Sequence, residues 1–264
     1  MSMMPLGTFD RMRVPVDQSG LRLGGRPISD YGISLLLGGI EIDAAEASTD
    51  FVNVPGLSGS VNRTLLDESG HAYTDRRTIT MHVATTGRET EAMETKIMMG
   101  GLDGTETTLE WGALPGHYEG FLTVGAWTDV YGHGGVYRHS TCDLTMLANP
   151  DLIDGPREFA VGTTQRGVWI RGNRPSRPVI VAIPPVGTKR FYTTVNGMQL
   201  VYDLSGVDGA KKLVADCEQR QSTYGSAIVF PTVDSDYPVL TPGVVQSQVS
   251  AGTATVTYRP HNRI

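Results

Sequence analysis

The chain has 264 residues and 39% of them are hydrophobic, which is enough for one large β-domain or for two domains of ordinary size. Its 32 glycines and 15 prolines favour many short strands joined by tight turns. The net charge of −6 argues against a dedicated DNA-binding protein, and no apolar run approaches the roughly 18 residues that a membrane span needs.

The N-terminal region and the cysteines point to a protein made in the cytosol. Met1–Val16 lacks the continuous apolar core of a signal peptide. The two cysteines, Cys142 and Cys217, are too few for a disulfide framework in a chain of this length. We therefore expect both to be buried, reduced thiols that pack as small apolar side chains.

Apolar residues recur mostly with a period of two, which predicts half-buried antiparallel strands. The pattern is clear in Thr78–Val83, Leu200–Leu204, Leu213–Cys217 and Ala254–Tyr258. Val179–Ile183 is instead a continuous apolar run, which predicts a strand buried on both faces.

One segment, at about residues 88–99, predicts a helix. Thr86 and Glu89 fit a capping box as N-cap and third helical residue, and Gly100-Gly101 supplies a stop. Met93 and Ile97 are four residues apart, so we expect them to pack the helix onto a sheet. The alternative is that the nearby methionines form an adaptable binding surface.

The best domain boundary is Asn149-Pro150, because Pro150 disfavours helix before it and cannot donate to a central ladder. We therefore divide the chain into an N-terminal domain, residues 1–149, and a C-terminal domain, residues 150–264.

The sequence predicts no catalytic, cofactor-binding or metal-binding residues. Gly56–Ser60 resembles a nucleophile elbow but lacks its final glycine. None of the six histidines lies in a metal-binding motif, and Asp234–Asp236 is followed by Tyr-Pro where a calcium loop would continue.

Sugar binding is tested by the aromatic residues, since a sugar ring packs on an exposed aromatic side chain. The three tryptophans all precede the C-terminal stretch Leu213–Pro260. The remaining candidates for glycan contact are tyrosines at strand positions, where core packing is the commoner role: Tyr192, Tyr224 and Tyr237.

The order of these features resembles the distal tail proteins of siphophages, which are phages with long tails. Tyr31-Gly32-Ile33 and the Pro-Gly turn in Val54–Gly59 come first, although Leu57 stands where that family often has Arg. The alternating strand and the single helix follow. The C-terminal half then carries three further matching pieces, which are Asp216-Cys217-Glu218, Pro238–Gly243 and Val256–Pro260.

The resemblance implies a mainly β fold without enzymatic activity. The N-terminal domain would be a β-sandwich or split barrel with one helix, and the C-terminal domain a galectin-like β-sandwich. Six copies would form a ring that joins the tail tube to the tail-tip hub protein, at the tip of a virion tail assembled in the host cytoplasm. The particle could be an infectious phage or a phage-derived particle such as a gene transfer agent.

The resemblance also implies that DNA passes through the ring without specific binding. Part of the acidic charge facing the lumen would repel DNA from the wall; a lumen lined mainly by Lys and Arg would contradict this. The alternative function is a carbohydrate-binding β-sandwich that contributes to recognition of the host surface.

In this family an extended hairpin often reaches onto the neighbouring subunit. The matching segment here is 57–77, which is long for a plain turn and lacks core patterning. It provides the candidate ring-interface residues Leu57, Asp67, Glu68, Asp75, Arg76 and Arg77.

Overall fold

The computed structural model divides the chain into two compact units, of which the second is assembled from two separate segments. The first unit comprises residues Met1–Ala47 and Thr74–Pro150, and the second comprises Ser48–Tyr73 and Asp151–Ile264. The division predicted after residue 149 had assigned 48–73 to the first domain. The residues that the structure describes are 20–56, 58–67, 70–112, 114–205 and 210–264.

The first unit contains an antiparallel sheet in the strand order β2-β1-β7-β8-β10-β6-β3, with β9 on the free part of the β10 edge. A 3-10 helix, Ile28–Tyr31, leads into β3, and a second 3-10 turn, His133–Gly135, leads into β10. The strands are β1 Arg22–Leu23, β2 Arg26–Pro27, β3 Ile33–Ile42, β6 Arg77–Thr85, β7 Glu106–Glu110, β8 Gly116–Val124, β9 Thr128–Tyr131 and β10 Tyr137–Ala148.

The core of the first unit lies on one face of this sheet, as the two-residue period predicts. Ile79 and Met81 of β6 are fully buried, and they pair with Met146 and Leu144 of β10, which are also fully buried. His82, between buried neighbours, points to the other face.

The one α-helix among the described residues, α1 (Glu89–Gly100), begins two residues later than the predicted cap requires. Its N-cap is Arg88, whose backbone N–H donates to Glu91 Oε2 at 2.7 Å. The predicted N-cap, Thr86, instead donates its hydroxyl to the Gly32 carbonyl at 3.1 Å. The prediction of a helix is confirmed. The prediction of its capping residues is wrong, because the Thr86 hydroxyl bonds the Gly32 carbonyl instead of a backbone N–H of the helix.

The face of α1 that packs is also different from the predicted one. Ala92, Thr95 and Met99 are buried, whereas Met93 and Ile97 are 55% and 71% exposed. Thr95 lies so close to Gly32 that a β-carbon on Gly32 would overlap the Thr95 hydroxyl. The helix therefore packs through Ala92, Thr95 and Met99, whereas Met93 and Ile97 face away.

The second unit is a β-sandwich of a six-stranded and a four-stranded sheet. The order is β12-β21-β14-β17-β18-β19 in the first sheet and β13-β20-β15-β16 in the second, and each of these pairs is antiparallel. The strands are β12 Arg157–Val161, β13 Arg166–Ile170, β14 Val179–Ala182, β15 Arg190–Val195, β16 Met198–Asp203, β17 Leu213–Asp216, β18 Gln221–Tyr224, β19 Ala227–Val229, β20 Gly243–Val249 and β21 Ala254–Tyr258.

Side chains from both sheets form one core, which includes Phe191, Val195 and Val256. The prediction that Val179–Ile183 is buried on both faces is wrong. Ile180 and Ala182 face the core, whereas Val179 and Val181 on the other face are only half-buried. Ile183, just beyond the end of the strand, is 58% exposed. Both cysteines are buried, as predicted.

Further short strands complete the second unit. Beyond Pro260 the chain forms β22 (His261–Asn262), which pairs with β11 (Leu152–Asp154). The segment 48–73 contributes a separate hairpin of β4 (Phe51–Asn53) and β5 (Ser60–Asn62).

Two pieces of the resemblance, Asp216-Cys217-Glu218 and Pro238–Gly243, have clear local roles. The Asp216 carboxylate accepts backbone N–H bonds from Glu218 and Gln219 at 3.0 Å, which closes the turn after β17. Gly243 has φ of +107°, a backbone conformation that glycine adopts readily. Leu240 exchanges backbone hydrogen bonds with Ser176. Each motif therefore fixes a bend in the sandwich.

The predicted fold class is confirmed: the chain is mainly β, with one α-helix in its N-terminal part and a β-sandwich in its C-terminal part. Among the described residues, no helix is long and apolar enough to cross a membrane.

Candidate functional site

The segment 48–73, which we call the arm, consists of two successive hairpins. In the first, β4 pairs with β5 through the register Phe51↔Asn62 and Asn53↔Ser60. In the second, Leu66 bridges Ala72. The ends of the arm lie side by side, since the flanking Ala47 and Thr74 form a bridge of their own. The chain therefore enters and leaves the arm at adjacent positions.

The second hairpin of the arm is held by Asp67. Its carboxylate accepts the backbone N–H of His71 at 2.9 Å, and its backbone N–H donates to the His71 carbonyl at 2.7 Å. The same carboxylate lies 4.0 Å from Arg174 Nη1, and both side chains are largely buried. This contact joins the arm to the segment that follows residue 150.

The arm exposes more apolar surface than a free hairpin should. Both faces of the β4–β5 ribbon are open, and a ribbon of two strands is at best marginally stable in water. A cluster of exposed large apolar side chains marks a contact surface for another molecule. Those of the arm are Phe51 (59% exposed), Leu65 (75%), Leu66 (55%) and Tyr73 (54%).

The predicted ring-interface residues fall in different places. Asp75 and Arg76 are exposed just after the arm, and the Arg76 guanidinium lies 5.6 Å from the centre of the Phe121 ring. Arg77 is only 2% exposed and hydrogen-bonds the Tyr118 hydroxyl at 3.1 Å, so it offers no surface to a partner. Leu57 and Glu68 lie outside the described residues.

A second exposed apolar patch is formed by Met93 and Ile97 of α1, which we call the helix face. These residues lie on one side of the helix, one turn apart. Nothing in the described part of the first unit covers them, given their exposures of 55% and 71%. The prediction that they pack on a sheet missed this surface. The alternative of a binding surface formed by the nearby methionines stays a prediction, and one of them, Met99, is fully buried.

The predicted glycan-contact tyrosines are mostly occupied by the protein itself. Tyr224 is 4% exposed, and its hydroxyl oxygen accepts the backbone N–H of Lys211, so burial rules it out as a glycan contact. Tyr237 packs partly against the sandwich core and hydrogen-bonds Ser222. Tyr192 is half-buried on β15 and remains a candidate.

One histidine lies close to two carboxylates away from these surfaces. His82 lies 2.7 Å from Asp143 and 3.7 Å from Glu41, on the exposed face of the first sheet. The hydrogen bond to Asp143 is the main cause of a raised His82 pKa. Within the described ranges, no group of three His, Cys, Asp or Glu side chains is arranged to hold a metal ion.

Comparison with solved structures finds the Dit (gp 19.1) protein of phage SPP1, presented as a paradigm of the hub adsorption apparatus in phages that infect Gram-positive bacteria. The match has a TM-score of 0.69 and 13% identity, and it covers 92% of this chain and 98% of that one. This chain therefore has the fold of the SPP1 Dit protein.

Two structures of the phage p2 baseplate in its activated conformation, with Ca and with Sr, match at a TM-score of 0.39. Their identities are 10% and 9%, over 86% and 87% of this chain and 92% and 91% of theirs. No family model matches the sequence, and neither does any curated protein.

Proposed function

We propose that this chain is a structural subunit of the tail tip of a long-tailed phage or of a phage-derived particle. Six copies close into a ring that joins the tail tube to the tail-tip hub, and DNA passes through its centre. The observation that carries the proposal is the fold shared with the SPP1 Dit protein across nearly the whole chain. The number six follows from the sequence resemblance.

The exposed apolar surfaces support assembly. A ring closes through a heterologous interface, in which one patch of each copy contacts a different patch of the next. The arm and the helix face are two such patches, each made of large apolar side chains that a monomer would leave in water. The exposed charges Asp75 and Arg76, next to the arm, are suited to the polar rim of the contact.

The proposed role depends on contact surfaces rather than on chemistry. The interface holds neighbouring copies of the chain in a fixed arrangement. The β4–β5 ribbon of the arm is stabilised when a second copy covers its open faces. The net charge of −6 on each copy would keep DNA from adhering to the ring if acidic side chains line the passage.

Removal of the arm tests the proposal. Because Ala47 and Thr74 are bridged neighbours, residues 48–73 can be replaced by the two-residue turn Asn-Gly. Negative-stain imaging of the intact chain should give rings with six-fold symmetry and a central hole, and the shortened chain should give dispersed single particles.

A point variant guards against misfolding of the shortened chain. Leu65→Asp changes a side chain that is 75% exposed, so the monomer should fold as before while ring formation is weakened. If both variants form rings as well as the intact chain does, the arm is not part of the interface. An intact chain that forms no ring, alone or with tail-tube protein, would refute the proposed function.

A further inference from the structure

The outer face of the four-stranded sheet carries an exposed tryptophan that is not among the predicted glycan contacts. Trp169 precedes Leu213–Pro260 in the chain, yet it lies on β13 of the same sandwich and is 68% exposed. It pairs with Val244 of β20, which is 64% exposed. A large aromatic ring held on a rigid strand and left in water is a typical contact residue for a ligand or partner.

A cleft of about 380 Å³ lies on this sheet, lined by residues of β15 and β20 and by Gln165. Val244, the cross-strand neighbour of Trp169, forms part of its wall. Its volume falls within the range of small-molecule sites. The pairing Thr194↔Gln248 and the alternation of β20 bring further polar side chains into the same cleft, which are Gln165, Thr194, Gln246 and Gln248.

The chemistry of the cleft is that of neutral hydrogen bonding. Its lining side chains carry no charge. Arg166, the nearest charge along β13, alternates with Trp169 and so points away from this face. A carboxamide offers two donors and one acceptor, which matches hydroxyl groups that both donate and accept. A neutral polyhydroxylated ligand fits this lining, and an anion does not.

Two of the amides are free to bind. Gln248 already donates to the Thr163 carbonyl at 2.8 Å, and Asn196 donates to the Val239 carbonyl at 2.9 Å. The side-chain amides of Gln165 and Gln246 make no hydrogen bond to another described residue. They are exposed at the cleft and can give all their bonds to a ligand.

Gly167 keeps the face open between these groups. A β-carbon at this position would lie 3.2 Å from Val244 Cγ1 and 3.3 Å from Gln246 Nε2. A side chain there would crowd both, and it would stand between the indole of Trp169 and the amide of Gln165 on the same strand.

We propose that this face binds a neutral saccharide, with the apolar side of a pyranose ring on the Trp169 indole and its hydroxyls bonded by Gln165 and Gln246. The site is complete within one copy of the chain, so it does not depend on ring formation. In a tail-tip protein it would add contact with a surface glycan to the assembly role.

The test is calorimetric titration of the full chain with neutral hexopyranosides: the methyl glycosides and disaccharides of glucose, galactose and N-acetylglucosamine. Glucuronic acid serves as the charged counterpart. At least one neutral probe should bind with a Kd of about 10 mM or tighter, and glucuronic acid should bind at least about tenfold more weakly. Trp169→Ala and Gln246→Ala should each weaken binding by about tenfold or more.

Matched controls come from the same unit. Phe230→Ala removes another exposed aromatic side chain (83% exposed), and Gln219→Ala removes an exposed amide outside the cleft. Neither should change the affinity. The proposal is overturned if no neutral probe binds, or if binding survives both cleft variants. It is equally overturned if Trp169→Ala disrupts assembly of the chain while no sugar binds.

Discussion

His82 is a histidine whose protonation depends on two neighbouring carboxylates. It lies between Asp143, 2.7 Å away on β10, and Glu41, 3.7 Å away on β3. The hydrogen bond to Asp143 is the largest influence and raises the pKa of His82 above 6.5. Desolvation comes second and lowers it, and the negative charges of Asp143 and Glu41 raise it further.

We predict that an NMR titration will give His82 a pKa above 6.5 and that Asp143→Asn will lower it. Because the pKa is raised in the folded chain, the stabilisation is fully present below pH 6.5 and is lost as pH rises through the folded pKa. The gain is small because these side chains are largely exposed to solvent. A measured pKa at or below 6.5 would contradict the assignment of this contact.

Gly120 marks the closest approach of two strands in the first unit. It pairs with Ala148 of β10, and a β-carbon at Gly120 would lie 2.6 Å from Ala148 Cα and overlap the Leu147 carbonyl. Both neighbours are backbone, so neither can rotate away. The glycine was not singled out from the sequence because close approach depends on which strands pair.

We predict that Gly120→Ala destabilises the first unit by about 2 kcal/mol or more, seen as a fall in its Tm of roughly 5 °C or more in calorimetry. Gly100→Ala is the matched control, because a β-carbon on Gly100 meets open space. Equal Tm values for the two variants would show that β8 and β10 do not approach as described.

Among the secondary-structure elements, α1 shows which features can be predicted from the sequence and which cannot. The run of helix formers before Gly100-Gly101 fixed the existence of α1, since these signals are local. Its orientation was not predictable from Met93 and Ile97, because the side that packs is chosen by the close approach of Thr95 to Gly32. That contact joins residues far apart in sequence.

We predict that Ile97→Asp weakens ring assembly without lowering the Tm of the first unit. Ile97 is 71% exposed, so an aspartate costs the monomer little, whereas a charge buried at an apolar contact is costly. Sedimentation of Ile97→Asp beside the exposed-residue control Glu94→Ala measures this. If Ile97→Asp assembles as well as the control, the helix face is not part of the interface.

The arm was predictable only in part. The segment 57–77 was recognised by its length and lack of core pattern, but β4 is three residues long and gives no periodic signal, so its start was missed. The anchoring of Asp67 near Arg174 spans more than a hundred positions and has no signature in the sequence.

For the whole molecule, the order of strands, helix and sandwich was readable because each element carries its own local pattern. The assignment of residues 48–73 to the second unit could not be predicted, since a discontinuous domain depends on contacts between distant segments. The proposed saccharide site on the sandwich was not predicted from the sequence for the same reason. Trp169 is distant from Leu213–Pro260 in sequence, and the pairing of β13 with β20 brings it beside Val244.

The most direct test of the account is native mass spectrometry of the intact, purified chain at micromolar concentration. The proposed ring predicts a dominant species with six times the 28.5 kDa mass of one chain, which Ile97→Asp and removal of the arm shift to single chains. A chain that stays at 28.5 kDa throughout, and still does so when tail-tube protein is added, would contradict the account.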